Sequence, residues 1–303
     1  NLLDLVDDKP YQVLEDYQPE HLDFNISSAS KSDVASMLSE RFHTPFDLET
    51  GPVLRIDLVK VENYYEFLLV GHHIAIDGWS LELLLREFST LYNAAITLKD
   101  VPFDLHKSVL PPMTGSIVDL AMRQQDLVHS QVGKRMWGTI QSYLAGHEFS
   151  LDLPTDFPRP SVATSNGDFV RFEVEVDVLK KLRVFRKSCV RGTTLYMVLL
   201  GAFYILLYRY TGTRDIIVGT PMLGRLDDSL NTVIGHIVNT VCIRTNMSHQ
   251  MTFKRFIKSV YSSVLQALNL QLFPFPEIVQ RLSKFNDPSR SPLFQVLFSL
   301  NQQ

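Results

Sequence analysis

The chain has 303 residues, of which 45% are hydrophobic and 20% are charged, and its formal net charge is −4. These values are those of an ordinary globular protein, long enough to form one large domain or two smaller ones. Because the net charge has no strong sign, we expect no nucleic-acid partner.

The N-terminal stretch has no basic segment followed by an apolar run, so it does not resemble a signal peptide. The two cysteines, Cys189 and Cys242, belong to no Cys-x-x-Cys or Cys/His cluster, and we expect two free thiols and no structural zinc. The sequence therefore predicts a cytoplasmic protein.

The first half of the chain predicts a hairpin followed by a helix. Two strand-like runs, Val53–Val61 and Tyr64–Val70, flank the turn Glu62-Asn63. The sequence SLELLLREFSTLYNAA then has apolar residues at helical spacing, and Ser80 is the predicted N-cap. The intervening residues GHHIAIDGW are therefore expected on a strand-to-helix loop.

The middle of the chain predicts an amphipathic helical run and then a linker. Apolar residues recur at helical spacing from Ile117 to Leu144. The following residues, LDLPTDFPRPSVATSNG, contain prolines and small polar residues that cannot continue a helix. We expect this segment, 151–167, to cross between two lobes.

The second half alternates predicted strands and helices, which favours an α/β architecture. One helix, Leu195 to Tyr208, is almost wholly apolar yet too short to cross a bilayer, so we expect it to be buried and expect no membrane partner. Thr193 or Thr194 should cap it and Gly212 should end it. The other predicted elements are a strand at Asp168–Val176, a helix from Val178 into Ser188 and a buried strand at Asp215–Gly219.

Two adjacent histidines and an aspartate, His72, His73 and Asp77, form the sharpest chemical feature. A neutral imidazole suits proton removal near pH 7, whereas a buried aspartate must be paired, which implies an arginine elsewhere in the chain. Neighbouring side chains on an extended segment point to opposite sides, so one histidine should be chemical and the other structural. Spacing alone leaves a structural or surface cluster open.

The surrounding motifs give this cluster a family. HHIAIDGWS resembles the HHxxxDG signature of the condensation domains of nonribosomal peptide synthetases, and further stretches resemble the other motifs of that family in the same order. These stretches are PFDLETGPVLR, SIVDLAMRQQDLV with YLAGHEFSLDLPTDFPRP, IIVGTPMLGR, VIGHIVNTVCIR and FPFPEIVQRLSKFNDPSRSPLFQVLFSLNQ.

The resemblance implies a two-lobed α/β fold like that of chloramphenicol acetyltransferase, with the active site in a tunnel between the lobes. We expect an N-terminal lobe at 1–150, the crossing at 151–167 and a C-terminal lobe at 168–303. Both lobes are expected to be partial, because the opening and closing strands of the family have no counterpart in these 303 residues.

The resemblance also assigns residues. It makes His73 catalytic and pairs a buried Asp77 with Arg225, which predicts a role in folding for that pair. From its place at the start of the helix, we expect either that the backbone N–H of Gly78 faces the oxyanion or that the glycine serves only the turn. His72 is expected to support the site, and Asn239 to lie near the tunnel. Turns and tight packing explain the other motif glycines and proline, which are Gly219, Pro221, Gly224 and Gly235.

The implied activity is amide or ester formation between a carrier-bound acyl thioester and a nucleophile. No GxGxxG, P-loop or metal-ligand spacing occurs, so we expect no directly bound cofactor and no metal. Phosphopantetheine would arrive on acyl or peptidyl carrier domains, which are the expected partners together with the neighbouring domains of the same synthase. A type fused to a polyketide synthase, particularly a fungal one, stays open.

Three positions depart from the family pattern, namely His236, Ile237 and Pro276, and they leave the tunnel shape and the substrate open. A glycerolipid acyltransferase shares the histidine-to-aspartate spacing but not the late motifs. A non-catalytic domain that docks carriers or assists product release is the alternative from another functional class. Retention of both histidines, Asp77 and Gly78 favours activity.

Overall fold

The computed structural model describes residues 2–6, 9–13, 22–98, 100–102, 104–164, 166–248, 250–282 and 287–301. The strands are β1 (Leu2–Val6), β2 (Lys9–Val13), β3 (Asp23–Ser28), β4 (Leu54–Val61), β5 (Tyr64–Gly71), β6 (Asp215–Met222) and β7 (Asn239–Asn246). The helices are α1 (Val34–His43), α2 (Gly78–Thr97), α3 (Leu105–Val109), α4 (Ile117–His129), α5 (Gln131–Leu144), α6 (Val176–Lys187), α7 (Leu195–Thr211), α8 (Phe253–Asn269) and α9 (Phe275–Leu282).

The chain forms two compact units. The first unit comprises Asn1–Ile117 and Ser229–Ile237, and the second comprises Val118–Asp228 and Val238–Gln303. These units divide the chain at other points than the predicted lobes, 1–150 and 168–303, which stay a prediction.

A mixed sheet organises the first unit. Strand β3 runs parallel to β4, and β4 pairs with β5 in antiparallel register from Leu54 opposite Gly71 to Val61 opposite Tyr64. Alternate residues of β4 are buried, and Val59 and Val61 pack with Val34 of α1 in a small core. The predicted hairpin is confirmed, and β5 leads directly into the histidine motif.

The helix after the motif begins earlier than predicted. Asp77, not Ser80, is the N-cap of α2, because the Asp77 carboxylate accepts a hydrogen bond from the Ser80 N–H at 2.8 Å. Ser80 lies in the first helical turn and is fully buried. The prediction of Ser80 as the cap was wrong, since an aspartate three residues upstream reaches the free N–H groups first.

The predicted helical run from Ile117 to Leu144 is two helices, α4 and α5. Ser130 separates them, and its side-chain oxygen accepts a hydrogen bond from the Gly133 N–H at 3.0 Å. A serine competes with the helix for such backbone groups, so it ends one helix and begins the next.

Helix α7 and strands β6 and β7 form the centre of the second unit. The Thr194 side chain caps α7, and Gly212 ends it with a φ of +71°, as predicted. Leu200 and Tyr204 are fully buried, which confirms the predicted buried helix. Strand β6 continues to Met222, beyond the predicted end, and pairs antiparallel with β7. None of the helices in the described ranges combines the length and apolar character that a membrane crossing demands.

The strand predicted at Asp168–Val176 is wrong. No strand is present there in the described part of the chain, and Phe169 and Phe172 are 71% and 82% exposed. Alternation of apolar and polar residues produces a strand only where a neighbouring strand accepts its backbone hydrogen bonds. Helix α6 begins at Val176, two residues earlier than predicted, and the end predicted at Ser188 is confirmed as its C-cap.

Candidate active site

The two histidines lie on a tight turn at the end of β5. The His72 N–H still donates to the Val53 carbonyl oxygen at 2.9 Å, which continues the pairing of β4 with β5. The Ala75 N–H then donates back to the His72 carbonyl oxygen at 2.9 Å, so the chain reverses direction here. A Cβ atom on Gly71 would collide with the Ile76 side chain, so glycine allows the turn to fold back against the strand.

His72 is half-buried and engaged within the turn. Its Nδ1 accepts a hydrogen bond from the Ile74 N–H at 3.1 Å, and its ring meets the Phe46 ring edge-on with centroids 6.0 Å apart. Because Nδ1 is an acceptor, the neutral ring carries its proton on Nε2. The supporting role assigned to His72 stays a prediction.

His73 is exposed and has a defined proton position. Its Nδ1 lies 2.8 Å from the Ile76 carbonyl oxygen. A carbonyl oxygen only accepts hydrogen bonds, so Nδ1 of His73 must carry the proton. In the neutral ring, Nε2 then holds the free lone pair, which is the group that a general base needs.

Asp77 is a buried structural acceptor at the start of α2, with an exposure of 2%. Its Oδ1 accepts from the Ser80 N–H at 2.8 Å, and its Oδ2 accepts from the Ile237 N–H at 3.0 Å. One carboxylate therefore caps the helix and holds the 235–237 segment against it. Placing a carboxylate at a helix N-terminus is also electrostatically favourable.

Ser80 and Trp79 fix the same segment. The Ser80 hydroxyl donates to the Gly235 carbonyl oxygen at 2.9 Å and accepts from the Gly235 N–H at 3.0 Å. The Trp79 indole N–H donates to the Asn231 carbonyl oxygen at 3.1 Å. The first turn of α2 thus holds residues 231–237 in a defined position.

This segment brings a third histidine to the motif. Nδ1 of His236 lies 3.2 Å from Nδ1 of His73, and the two ring centroids are 5.0 Å apart with an angle of 70° between the ring planes. His236 is exposed, whereas its neighbours Gly235 and Ile237 are buried. The sequence identified His236 only as a departure from the family pattern.

Gly78 opens α2 in free space. Apart from its chain neighbours and the backbone of its own helix, no heavy atom of the described residues lies within 4 Å of the position that a Cβ atom would occupy. Its φ is not in the positive range where glycine is needed, so the turn itself does not require glycine. The proposed contact of its N–H with an oxyanion stays a prediction.

Two predicted site residues belong to the second unit. Asn239 donates from Nδ2 to the carbonyl oxygens of Gln271 and Phe273 at 2.7 and 2.9 Å, and its Oδ1 accepts from the Phe275 N–H at 3.0 Å. Asn239 therefore organises the chain between α8 and α9, and its predicted place near the tunnel stays a prediction. The predicted pairing of Arg225 with Asp77 also stays a prediction.

No group of three or more histidine, cysteine, aspartate or glutamate residues in the described ranges could hold a metal ion. Cys189 and Cys242 are both free thiols. Burial raises the pKa of Cys242 to about 12, so this thiol stays protonated at neutral pH.

Comparison with known proteins identifies the family. The family model described as Condensation domain matches residues 3–303. The chain belongs to the condensation-domain family. It is 38% identical over 275 residues to tyrocidine synthase 3 of Brevibacillus parabrevis, an alignment that covers 89% of this chain and 4% of that protein. This confirms the predicted resemblance to nonribosomal peptide synthetases.

Solved structures share the fold of this condensation domain. The X-domain from teicoplanin biosynthesis has a TM-score of 0.85 at 23% identity, with 98% of this chain and 65% of that chain covered. The epimerization domain from the third module of tyrocidine synthetase B has a TM-score of 0.74 at 19% identity, with 96% and 66% covered. The likeness confirms the predicted fold class, the α/β fold that condensation domains share with chloramphenicol acetyltransferase.

Two features of this condensation domain escaped the sequence reasoning. Asp77 was identified as a site residue but not as a helix cap, although aspartate is among the favoured N-cap residues. The contact between His73 and His236 joins residues 163 positions apart. The only sequence signal for it was that His236 departs from the family pattern.

Proposed function

We propose that this condensation domain joins a carrier-bound acyl or peptidyl thioester to the amine of an acceptor held on a second carrier, with His73 as the base. Phosphopantetheine arms of the neighbouring carrier domains would deliver both substrates. The observation that carries the proposal is the exposed His73 ring, whose Nδ1 proton is directed to the Ile76 carbonyl oxygen. Its Nε2 is thereby left as the acceptor.

The proposed reaction uses only residues of the chain and the two substrates. The amine nitrogen attacks the thioester carbonyl carbon, and a tetrahedral intermediate forms. Nε2 of His73 takes the proton that the amine loses, the C–S bond breaks, and the proton passes to the leaving thiolate. General base catalysis of this kind contributes about 10²- to 10⁴-fold, and the larger gain comes from holding both reactants together.

Gly78 is the proposed donor to the oxygen of the tetrahedral intermediate. Gly78 is exposed and has no side chain, so its backbone is open to a substrate at this end of the helix. The N-terminus of α2 favours negative charge, and a preorganised donor there stabilises the developing oxyanion. A hydroxyl acceptor would give an ester by the same steps.

The alternative function is a non-catalytic domain that docks carriers or assists product release. The fold is compatible with this alternative, since the solved structures with this fold include proteins described as an X-domain and an epimerization domain. Fold alone therefore does not prescribe condensation. The specific observation that favours catalysis is the exposed His73 ring with its Nδ1 on the Ile76 carbonyl oxygen, which leaves Nε2 as the acceptor in the neutral ring.

The test uses the intact synthetase module that contains this domain, with the donor carrier charged with an acyl thioester. A small amine acceptor is added, and amide product is followed by mass spectrometry. We expect His73→Ala to lower the rate by about 10²-fold or more, because the base is lost. His129→Ala is the matched control, since His129 is also exposed and also places Nδ1 on a backbone carbonyl, that of Gln125 at 2.8 Å.

Amide that forms in the wild-type and control proteins but not in His73→Ala establishes the catalytic reading. If the wild-type module forms no amide while its charged carrier still binds the domain, the docking function replaces it. Equal rates in the wild-type and His73→Ala proteins would remove His73 from the mechanism.

A further inference from the structure

Two imidazole rings meet at the candidate base, and their proton positions can be assigned. Nδ1 of His73 has two neighbours, the Ile76 carbonyl oxygen at 2.8 Å and Nδ1 of His236 at 3.2 Å. The carbonyl requires a proton on His73 Nδ1. A favourable contact with His236 then requires a lone pair on Nδ1 of His236, whose proton must sit on Nε2.

We infer that His236 is a positioning residue for His73, an assignment that rests on the proposed function. The neutral His236 ring accepts a share of the His73 Nδ1–H, which fixes the tautomer of His73 and the direction of its Nε2. When Nε2 takes a proton from the amine, the His73 ring becomes a cation. A hydrogen bond from a charged donor is stronger than one from a neutral donor, so His236 stabilises the state that forms during the reaction.

The backbone on both sides of His236 is anchored independently of its side chain. The Gly235 N–H and carbonyl oxygen both bond to the Ser80 hydroxyl, and the Ile237 N–H bonds to Asp77. The His236 side chain is exposed, so its replacement leaves these anchors intact. Substitution at this position therefore tests the ring and not the fold.

The other titratable groups at this turn have their own contacts. Nδ1 of His72 is engaged with the Ile74 N–H, and the Asp77 carboxylate accepts from the Ser80 and Ile237 N–H groups. Protonation of His236 would place an N–H donor against the Nδ1–H donor of His73 and add a like charge beside it. The contact therefore exists only while His236 is neutral.

Two substitutions of His236 distinguish the effect of its hydrogen-bond acceptor from the effect of its side-chain volume. His236→Leu removes the acceptor and keeps an apolar side chain of similar reach. His236→Asn places a carbonyl oxygen near the position of Nδ1 and so restores an acceptor. His129→Leu and His129→Asn are the matched controls on an exposed histidine of α4.

Two readouts on the intact module keep this inference separate from the proposed function. The first is the kcat and KM of amide formation. The second is the rate at which diethyl pyrocarbonate acylates His73, which needs no catalysis and is followed by peptide mass spectrometry with fragmentation that separates His73 from His72. The reagent attacks the free nitrogen of a neutral imidazole, which is Nε2 of His73.

We expect His236→Leu to lower kcat about tenfold, the size of one charge-assisted hydrogen bond, with KM unchanged. The same variant should slow the acylation of His73, and His236→Asn should recover most of both losses. Wild-type values in His236→Leu, or an equal loss in both variants, would overturn the inference. If the wild-type module forms no amide, the acylation rates alone decide it, and the proposed function fails separately.

Discussion

At the scale of single residues, Asp77 holds two parts of the first unit together. It is 2% exposed, and one oxygen caps α2 while the other accepts from the Ile237 N–H. We expect Asp77→Ala to lower the free energy of unfolding by about 2–4 kcal/mol, through a lost cap and a buried N–H left without an acceptor. Urea unfolding followed by tryptophan fluorescence measures the change.

Asp33→Ala provides the matched control for this prediction. Asp33 is the N-cap residue of α1, but it is exposed and makes no side-chain hydrogen bond to the helix backbone. Its loss should cost less than about 1 kcal/mol. Asp77→Asn bears on the predicted pair with Arg225, because asparagine removes the charge and keeps only one of the two acceptor oxygens that Asp77 uses. A small loss in Asp77→Asn would argue against that pair.

At the scale of elements, the start of α5 shows how one glycine sets the junction with α4. A Cβ atom on Gly133 would collide with the Leu127 carbonyl oxygen. A Cβ atom on Gly138 meets no heavy atom of the described residues within 4 Å outside its chain neighbours and the backbone of its own helix. We expect Gly133→Ala to destabilise the protein by about 1–3 kcal/mol. Gly138→Ala in the same helix should stabilise it by up to about 1 kcal/mol, because alanine favours a helix.

Thermal unfolding of the two alanine variants checks this opposition. Both substitutions lie in α5 and add the same methyl group, so both variants gain the same helix propensity. The difference between their melting temperatures therefore reports the collision at Gly133. Melting temperatures that shift in the same direction would show that the collision at Gly133 relaxes at little cost.

The periodicity of apolar residues correctly predicted elements that are held by contacts between neighbouring segments or that are fully buried. The β4–β5 hairpin, the apolar helix α7 and its Gly212 end agree with the structure. The prediction of a strand at Asp168–Val176 was wrong, because this segment pairs with no neighbouring strand in the described part of the chain. The cap of α2 was placed wrongly, since two residues of the right type stand three positions apart and only the backbone geometry selects Asp77.

At the scale of the whole molecule, the family resemblance predicted what periodicity could not. It gave the fold class, which is confirmed, since matching motifs in the right order carry tertiary information that no single segment holds. Its assignment of His73 as the catalytic residue stays a prediction. The resemblance of motifs did not supply the contacts between individual residues of different motifs. His236 meets His73 across 163 residues of sequence, and Ser80 meets Gly235 across 155. Such contacts follow from the path of the folded backbone.

The stability of the second unit should depend on pH through His147 before any carboxylate titrates. His147 Nε2–H donates to the Asp215 carbonyl oxygen at 3.0 Å, and its Nδ1 is buried with no hydrogen-bond partner among the described residues. Burial lowers the pKa of His147 below its ordinary 6.5, because a proton on Nδ1 would be a charge without an acceptor. The unfolded chain therefore takes up this proton first, and stability present above pH 6.5 is lost as the pH falls towards the folded pKa.

Asp215 affects stability at lower pH than His147 does. The hydrogen bonds from Arg244 lower the pKa of Asp215 below the ordinary 3.8. The stability that Asp215 contributes is therefore present above pH 3.8 and is lost as the pH falls towards its folded pKa. We expect His147→Gln to keep a donor to Asp215 and to flatten the fall in urea midpoint between pH 7 and 5. His129→Gln, in the exposed histidine of α4, should leave that fall as in the wild type. An unchanged fall in His147→Gln would assign the acid sensitivity to other groups.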